Sequence, residues 1–348
     1  MSAAPAPPRL FASKPAARLD NAMVFTANMT VPVHRWFRYS AGFSAAWVQQ
    51  VIQDHTAQRP LRVLDPFAGS GTTLVASRQT GAVSIGLETH PLVARVARAK
   101  LNGWEDHADA FEGRVAAVLT RATPVEWRQP PDLMAKIYSP EVLSSLCGLR
   151  IAVDELQDGG AVDDLTWLAL ISILRICSPV GTAPWQYVLP NKTKARVIEP
   201  VVAFSTQASL MVSDMRGMGA TPAVETRLFE EDARKARSVP DGWADLVITS
   251  PPYPNNYDYA DATRIEMTFL QEINSWGDLQ QAVRSRLVRS CSQHMVRYDA
   301  EPVLASNDLA PIVNELTEVY VRLALEREQH GGRKNYHAMV VAYFADLA

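Results

Sequence analysis

The sequence predicts an α/β chain built on a doubly wound parallel sheet, with a mainly helical insertion between two parts of that sheet. Three observations carry this. The short apolar run Leu61-Arg62-Val63-Leu64 leads into a glycine-containing turn and a helical pattern, the strand-turn-helix order of a parallel sheet. A second run over 82–87 ends in Glu88, and Pro91, suited to the first turn of a helix, opens the next helical stretch. After about a hundred residues of helical spacing, a third run, Asp245-Leu246-Val247-Ile248, enters Thr249-Ser250-Pro251-Pro252-Tyr253.

The elements follow in order. Residues 1–21 are rich in Ala and Pro, with Arg9, Lys14 and Arg18, and lack the apolar run of a secretory signal, so a disordered tail is expected. Residues 22–101 form the first part of the core. Ser44 is a candidate N-cap for a helix over 45–52, a second helix covers 72–79 with Gly81 as its C-cap, and a third runs from Pro91 to about 101. Residues 102–219 form the insertion, helical over 142–156 and 165–176, with a loop at 179–194. The sheet resumes in residues 220–260, with strands over 223–228 and 245–248. Residues 261–348 read as helical throughout, over 262–273, 279–291, 308–329 and 336–348.

Composition limits the function classes. With 34 Lys and Arg against 37 Asp and Glu, the net charge of −3 excludes a uniformly basic nucleic-acid coat and leaves only local basic surfaces. The apolar stretch 167–176 is interrupted by Ser172 and Arg175, so no membrane span is expected. Cys147, Cys177 and Cys291 are odd in number and widely spaced, so neither a disulfide framework nor a metal site is indicated, and a cytoplasmic location fits.

Two motifs carry chemistry. In Asp65-Pro66-Phe67-Ala68-Gly69-Ser70-Gly71-Thr72-Thr73, two glycines between strand and helix let backbone amides approach a ligand at the helix N-terminus. The Lys of a triphosphate-binding loop is missing and the three-glycine dinucleotide fingerprint is not met. Glu88, 23 positions after Asp65, suits a carboxylate that accepts from two ribose hydroxyls, so the ligand reads as a nucleoside without a pyrophosphate. In Thr249-Ser250-Pro251-Pro252-Tyr253, the prolines withhold amide donors and leave carbonyl acceptors beside a serine hydroxyl, and Tyr253 offers a stacking face. Such acceptors suit an exocyclic base amine, whose lone pair is otherwise delocalised into its ring.

Together these motifs resemble those of the amino-directed, S-adenosylmethionine-dependent DNA methyltransferases, in the form that carries Ser-Pro-Pro-Tyr. Weaker likenesses at 86–91, 231–234 and 34–44 extend the resemblance over residues 30–260. It implies a Rossmann-like methyltransferase sheet with S-adenosyl-L-methionine held by Asp65, Phe67, Ala68, Gly69, Gly71, Thr72, Glu88 and Asp232, the last accepting from the adenine amine. Ser250, Pro251, Pro252 and Tyr253 would hold a base flipped out of double-stranded DNA, and no metal is implied. Serine at the head of the motif favours cytosine N4; adenine N6 or an RNA target is the alternative.

Target recognition is expected from the insertion, whose loop carries Lys192, Lys194 and Arg196, with Arg284, Arg286 and Arg289 as phosphate contacts behind the catalytic motif. The resemblance also implies further strands after the catalytic one, yet the pattern there is helical. The C-terminal strands of the usual sheet are thus expected to be absent, which leaves a truncated product, a second chain completing the sheet, or a differently built C-terminal region. An inactive recognition subunit is the corresponding alternative function, and a cognate restriction or defence protein is an expected partner.

Overall fold

A computed structural model of the chain describes residues 25–39, 41–56, 59–102, 106–182, 188–194, 196–219, 224–295, 298–332 and 334–348. The tail expected over 1–21 lies outside the described residues.

A single-turn 3-10 segment, His34–Trp36, precedes α1 (Ala45–His55), where Ser44 accepts from the Trp47 amide as the expected N-cap. Strand β1 (Arg62–Asp65) leads to α2 (Thr72–Thr80), closed by Gly81, and β2 (Val83–Leu87) leads to α3 (Pro91–Leu101). The insertion supplies α4 (Ala108–Arg121), α5 (Asp132–Ile137), α6 (Pro140–Glu155), α7 (Ala161–Ile173), β3 (Val180–Thr182), β4 (Val188–Thr193) and α8 (Pro200–Gly217). The sheet resumes in β5 (Thr226–Phe229) and β6 (Leu246–Val247). There follow α9 (Arg264–Phe269), α10 (Leu279–Ala282), α11 (Glu301–Leu304), α12 (Val313–His330) and α13 (Tyr336–Leu347).

The main sheet has the order β5-β2-β1-β6 and every pairing is parallel. The chain winds outward from β1 through β2 to β5, then returns to the other side of β1 with β6. This reversal opens a crevice beyond the carboxyl ends of β1 and β6, where doubly wound sheets take their ligands. Among the described residues no strand follows β6, and no helix is long and apolar enough to cross a membrane.

Two stretches depart from the expected pattern. Residues 179–194 are not a plain loop, since β3 and β4 pair antiparallel. The prolines that suggested a loop are tolerated because a two-stranded ribbon consists only of edge strands. The single helix expected over 279–291 stops after α10, at Val283, whose φ of −135° leaves helical geometry. There Arg284 turns inward onto Asp258, so a buried ion pair overrides the helical spacing.

Three apolar clusters hold these elements. The largest joins α3 to the insertion helices through Val96, Phe111, Trp167 and Phe204. Val48 and Ile52 of α1 pack with Val63, Ala76 and Ile248 against the sheet. A separate C-terminal cluster groups Met295, Leu309, Leu316, Met339 and Val341. The buried carboxylate of Asp214 on α8 fastens the segment before α1. It accepts from the Val33 amide at 3.3 Å, Arg35 Nε at 3.0 Å and Trp36 Nε1 at 2.9 Å.

Candidate active site

Both motifs meet at the crevice. Pro66, Phe67 and Gly69 from the turn after β1, Leu87 to His90 after β2, and Glu231 to Ala233 after β5 line one cleft with Ser250 and Pro252 after β6. Parallel pairing explains this convergence, because it brings the carboxyl ends of all four strands to one side of the sheet. Tyr39, Ala41, Tyr259 and Arg286 to Val288 complete the wall.

Glu88 is the polar centre of the first half. Its carboxylate accepts from the Gly69 amide at 2.8 Å and the His90 amide at 2.7 Å, which fixes the turn after β1 against the end of β2. Burial pushes its pKa up to about 7, and these amide bonds pull against that shift. Each oxygen keeps acceptor capacity beyond one amide bond, so the group can still receive hydroxyl donors from the cleft. Asp232, across the cleft, is bound by Arg234 at 2.6–3.0 Å. Burial alone would raise its pKa, but the Arg234 guanidinium and amide hold it below the usual carboxylate range.

Several expected cofactor residues stand behind the wall. Asp65 is fully buried and accepts from the Phe67 amide at 3.0 Å and the Thr73 hydroxyl at 2.5 Å, so it shapes the turn that presents Phe67 and Gly69. Burial raises its pKa to about 6. Ala68 and Thr72 are buried, and Gly71 faces α3, where an added Cβ would lie 3.1 Å from that of Ala97. Gly71 also has a φ of 86°, which opens α2 in a conformation that glycine adopts freely. These four positions set the backbone and do not line the cleft.

In the second half, Ser250 Oγ lies 3.3 Å from the Tyr253 hydroxyl, and the Tyr253 ring is 55% exposed, open to a partner above the cleft. The Tyr253 amide donates to the Tyr259 hydroxyl at 2.9 Å, and Tyr259 packs edge-on against Tyr257 at 4.7 Å between ring centroids. Burial pushes the Tyr259 pKa up to about 12, so the hydroxyl stays neutral. Pro251 follows Ser250 and is half-buried, outside the lining itself.

The expected phosphate contacts separate into three kinds. Arg286 is half exposed, lines the cleft and has Glu230 at 3.6 Å. Arg284 is buried, with Asp258 at 2.7 Å and its guanidinium over the Trp276 ring at 4.0 Å; Arg289 is held by Asp346 and stacked over Tyr298 at 4.8 Å. Both are therefore structural cations in this arrangement, because leaving a buried carboxylate unpaired costs more than a surface contact returns. Lys194 donates to the Arg175 carbonyl and Arg196 is exposed, both away from the cleft, while the Lys192 side chain and residues 184–187 lie outside what is described.

Sequence reasoning did not single out His90, Leu287 or Val288 as wall residues. The apolar pair arrives only because the chain leaves the helix at Val283, a tertiary effect without local signal. His90 lies two residues after Glu88, inside the 86–91 likeness, with no role of its own assigned there. Its Nε2 lies 2.8 Å from the Thr263 hydroxyl, and burial lowers its pKa to about 3, so the ring is neutral.

Comparison with known proteins finds matches to DNA methyltransferases. A family model described as DNA methylase, of the N6 and N4 type, matches residues 18–99, which contain the turn after β1 and Glu88. Over those residues the chain is similar to the amino-directed DNA methyltransferases. It is 24% identical to the type II methyltransferase M.BsoBI of Geobacillus stearothermophilus over 93% of its own length and 71% of that protein's. To the type II methyltransferase M.AvaI of a Nostoc species it is 25% identical, over 71% of this chain and 55% of that one. No solved structure matches. The family match stops well short of Ser250, which shares the cleft with the matched residues Phe67, Gly69 and Glu88.

Proposed function

We propose that the chain transfers a methyl group from S-adenosylmethionine to an exocyclic amine of a base in double-stranded DNA, with cytosine N4 favoured. The observation that carries this reading is the convergence of Glu88 and Gly69 with Ser250, Pro252 and Tyr259 on one cleft. The donor set fits the cofactor's nucleoside part: a half-buried acid for ribose hydroxyls, a second acid at Asp232 for the adenine amine, and apolar walls from Phe67 and Leu87. When bound, S-adenosylmethionine supplies a methyl group activated by its sulfonium charge.

The remaining work falls to this chain's residues. Ser250 Oγ and the Pro251 carbonyl accept hydrogen bonds from the two N–H groups of the amine and favour a pyramidal nitrogen whose lone pair can attack in line, one proton leaving the nitrogen to solvent once the methyl group is bound. Tyr253, exposed at the cleft mouth, stacks on the extruded base. Residues 22–101 and 220–260 act as the catalytic core, 102–219 as the candidate recognition region, and 261–348 as the region that closes the wall behind the motif.

Two measurements test the reading. Calorimetric titration with S-adenosylmethionine should give binding that a folded Gly69→Asp variant loses, because Gly69 has a φ of 53° and an added Cβ would lie 3.4 Å from the Tyr39 ring in the cleft wall. Digestion of DNA incubated with protein and cofactor, followed by mass spectrometry of the nucleosides, should yield N4-methylcytosine. N6-methyladenine would correct the target base, and no methylated nucleoside would reject the activity.

A further inference from the structure

The helix α13 touches both halves of the cleft from behind. At its start the Tyr336 hydroxyl donates to the Pro254 carbonyl at 2.8 Å, one residue after Tyr253. Ten residues later, about 15 Å along the axis, Asp346 accepts from the Arg289 amide at 2.9 Å, from its Nε at 3.0 Å and from its Nη2 at 2.6 Å. The same carboxylate lies 3.3 Å from Arg234 Nη1, and Arg234 is the residue whose Nε and Nη2 hold Asp232. Asp346 is only 6% exposed and sits in the last turn of its helix, where the helix dipole disfavours a negative charge. Two arginines offset that placement, and one of them belongs to the cofactor half of the cleft.

We propose that α13 is a two-ended brace for the site: Tyr336 positions the loop carrying Ser250 to Tyr253, and Asp346 positions Arg234 and, through it, Asp232. The inference rests on the functional reading given above. Arg234 is shared between two carboxylates, so its charge is only partly spent on Asp232, which keeps lone pairs for a ligand amine. Without Asp346, the guanidinium is free to settle fully on Asp232 and compete with that ligand. At the other end, the Tyr253 amide is held by Tyr259 and the Asn256 amide by the Ser290 carbonyl at 3.2 Å, which leaves Tyr336 as the anchor on the Pro254 carbonyl between them. Both are positioning residues, since neither lines the cleft.

A merely structural helix would weaken every readout together, whereas a two-ended brace separates them. The full chain is titrated with S-adenosylmethionine, and turnover is followed by transfer of labelled methyl to DNA amplified in vitro, which is unmethylated. Asp346→Asn should weaken cofactor binding about tenfold while turnover at saturating cofactor stays within about twofold. Tyr336→Phe should do the reverse, lowering kcat about tenfold with cofactor affinity within about twofold. In an Arg234→Gln background, Asp346→Asn should change cofactor affinity no further. An equal loss in both backgrounds, parallel losses of affinity and kcat in each variant, or no change in either overturns the proposal. If Asp346→Asn does not fold, Arg234→Lys asks the same question, because an ammonium cannot span both carboxylates as the guanidinium does. Weakened binding then supports the brace and unchanged binding overturns it. Wild type that binds no cofactor rejects the reading of the site itself, a result distinct from wild type that binds with unaltered variants.

Discussion

Glu88 carries two opposite pH dependences. Its carboxyl is raised to about 7 by burial, above the ordinary value for glutamate. The stability it contributes is therefore fully present below that ordinary value and is lost as pH rises through about 7. Ligand hydroxyls that donate to it favour the ionised form, so cofactor affinity should rise over the same interval, by at most about tenfold per pH unit. Neutral His34 and His90, both lowered by burial to about 3, add stability as pH rises from about 3 to the ordinary histidine value and none beyond it. The informative quantity is thus the difference between wild type and Glu88→Gln. Thermal melts of the free chain should show that difference turning against wild type between about pH 5 and pH 8. Titrations with S-adenosylmethionine should show wild-type affinity rising while the variant stays flat and weaker. A pH-independent ratio of affinities would remove Glu88 from ligand contact.

Among the elements, the strand β2 and the helix α2 show what the sequence disclosed and what it withheld. Gly86 opens the 86–91 likeness, and in the fold it serves packing: an added Cβ would lie 2.7 Å from Leu74 Cδ1 and 3.0 Å from Ala68 Cβ. Gly86→Ala should lower stability by about 1–3 kcal/mol, as measured by denaturant unfolding, because the buried Leu74 side chain and Ala68 must shift to admit the added methyl. Strands β1, β2 and β5 and helices α1 to α3 were legible because local signals agree there: apolar runs, Ser44 as cap, Pro91 at a helix start and Gly81 at a helix end. The break at Val283 was not legible, since the helical spacing of 279–291 is real and is overridden by Arg284 reaching Asp258 across 26 positions. The same logic divides the site. Glu88, Asp232, Phe67, Gly69 and Ser250 could be read because strand ends mark them, and Tyr39 because it lies in the 34–44 likeness, whereas Leu287 and Val288 reach the cleft only through tertiary folding.

For the molecule as a whole, the distribution of buried residues sets an order of opening. In α7 the residues Leu165 to Ile171 are all buried and all but Thr166 belong to the largest cluster, so opening that helix exposes the centre of the insertion. In α12 Leu316 alone is buried, and Val319, Val321 and Leu325 are 44–51% exposed. Its neighbour α13 is better seated, through Met339 to Tyr343 and through Asp346 bound to Arg289. Local opening follows the burial that must be undone, so α12 should open sub-globally while α7 opens only with global unfolding. Native-state hydrogen exchange should therefore find α12 amides exchanging at denaturant concentrations where α7 remains protected. Saturation with S-adenosylmethionine adds a second expectation, because a ligand that binds only the closed cleft stabilises every opening that disrupts it. If α13 braces the cleft, its amides gain protection on binding, whereas α12 can open without breaking Tyr336–Pro254 or Asp346–Arg234 and should gain little. Equal gains in both helices would mean that the C-terminal region opens as one cooperative unit, and the brace would then extend to α12.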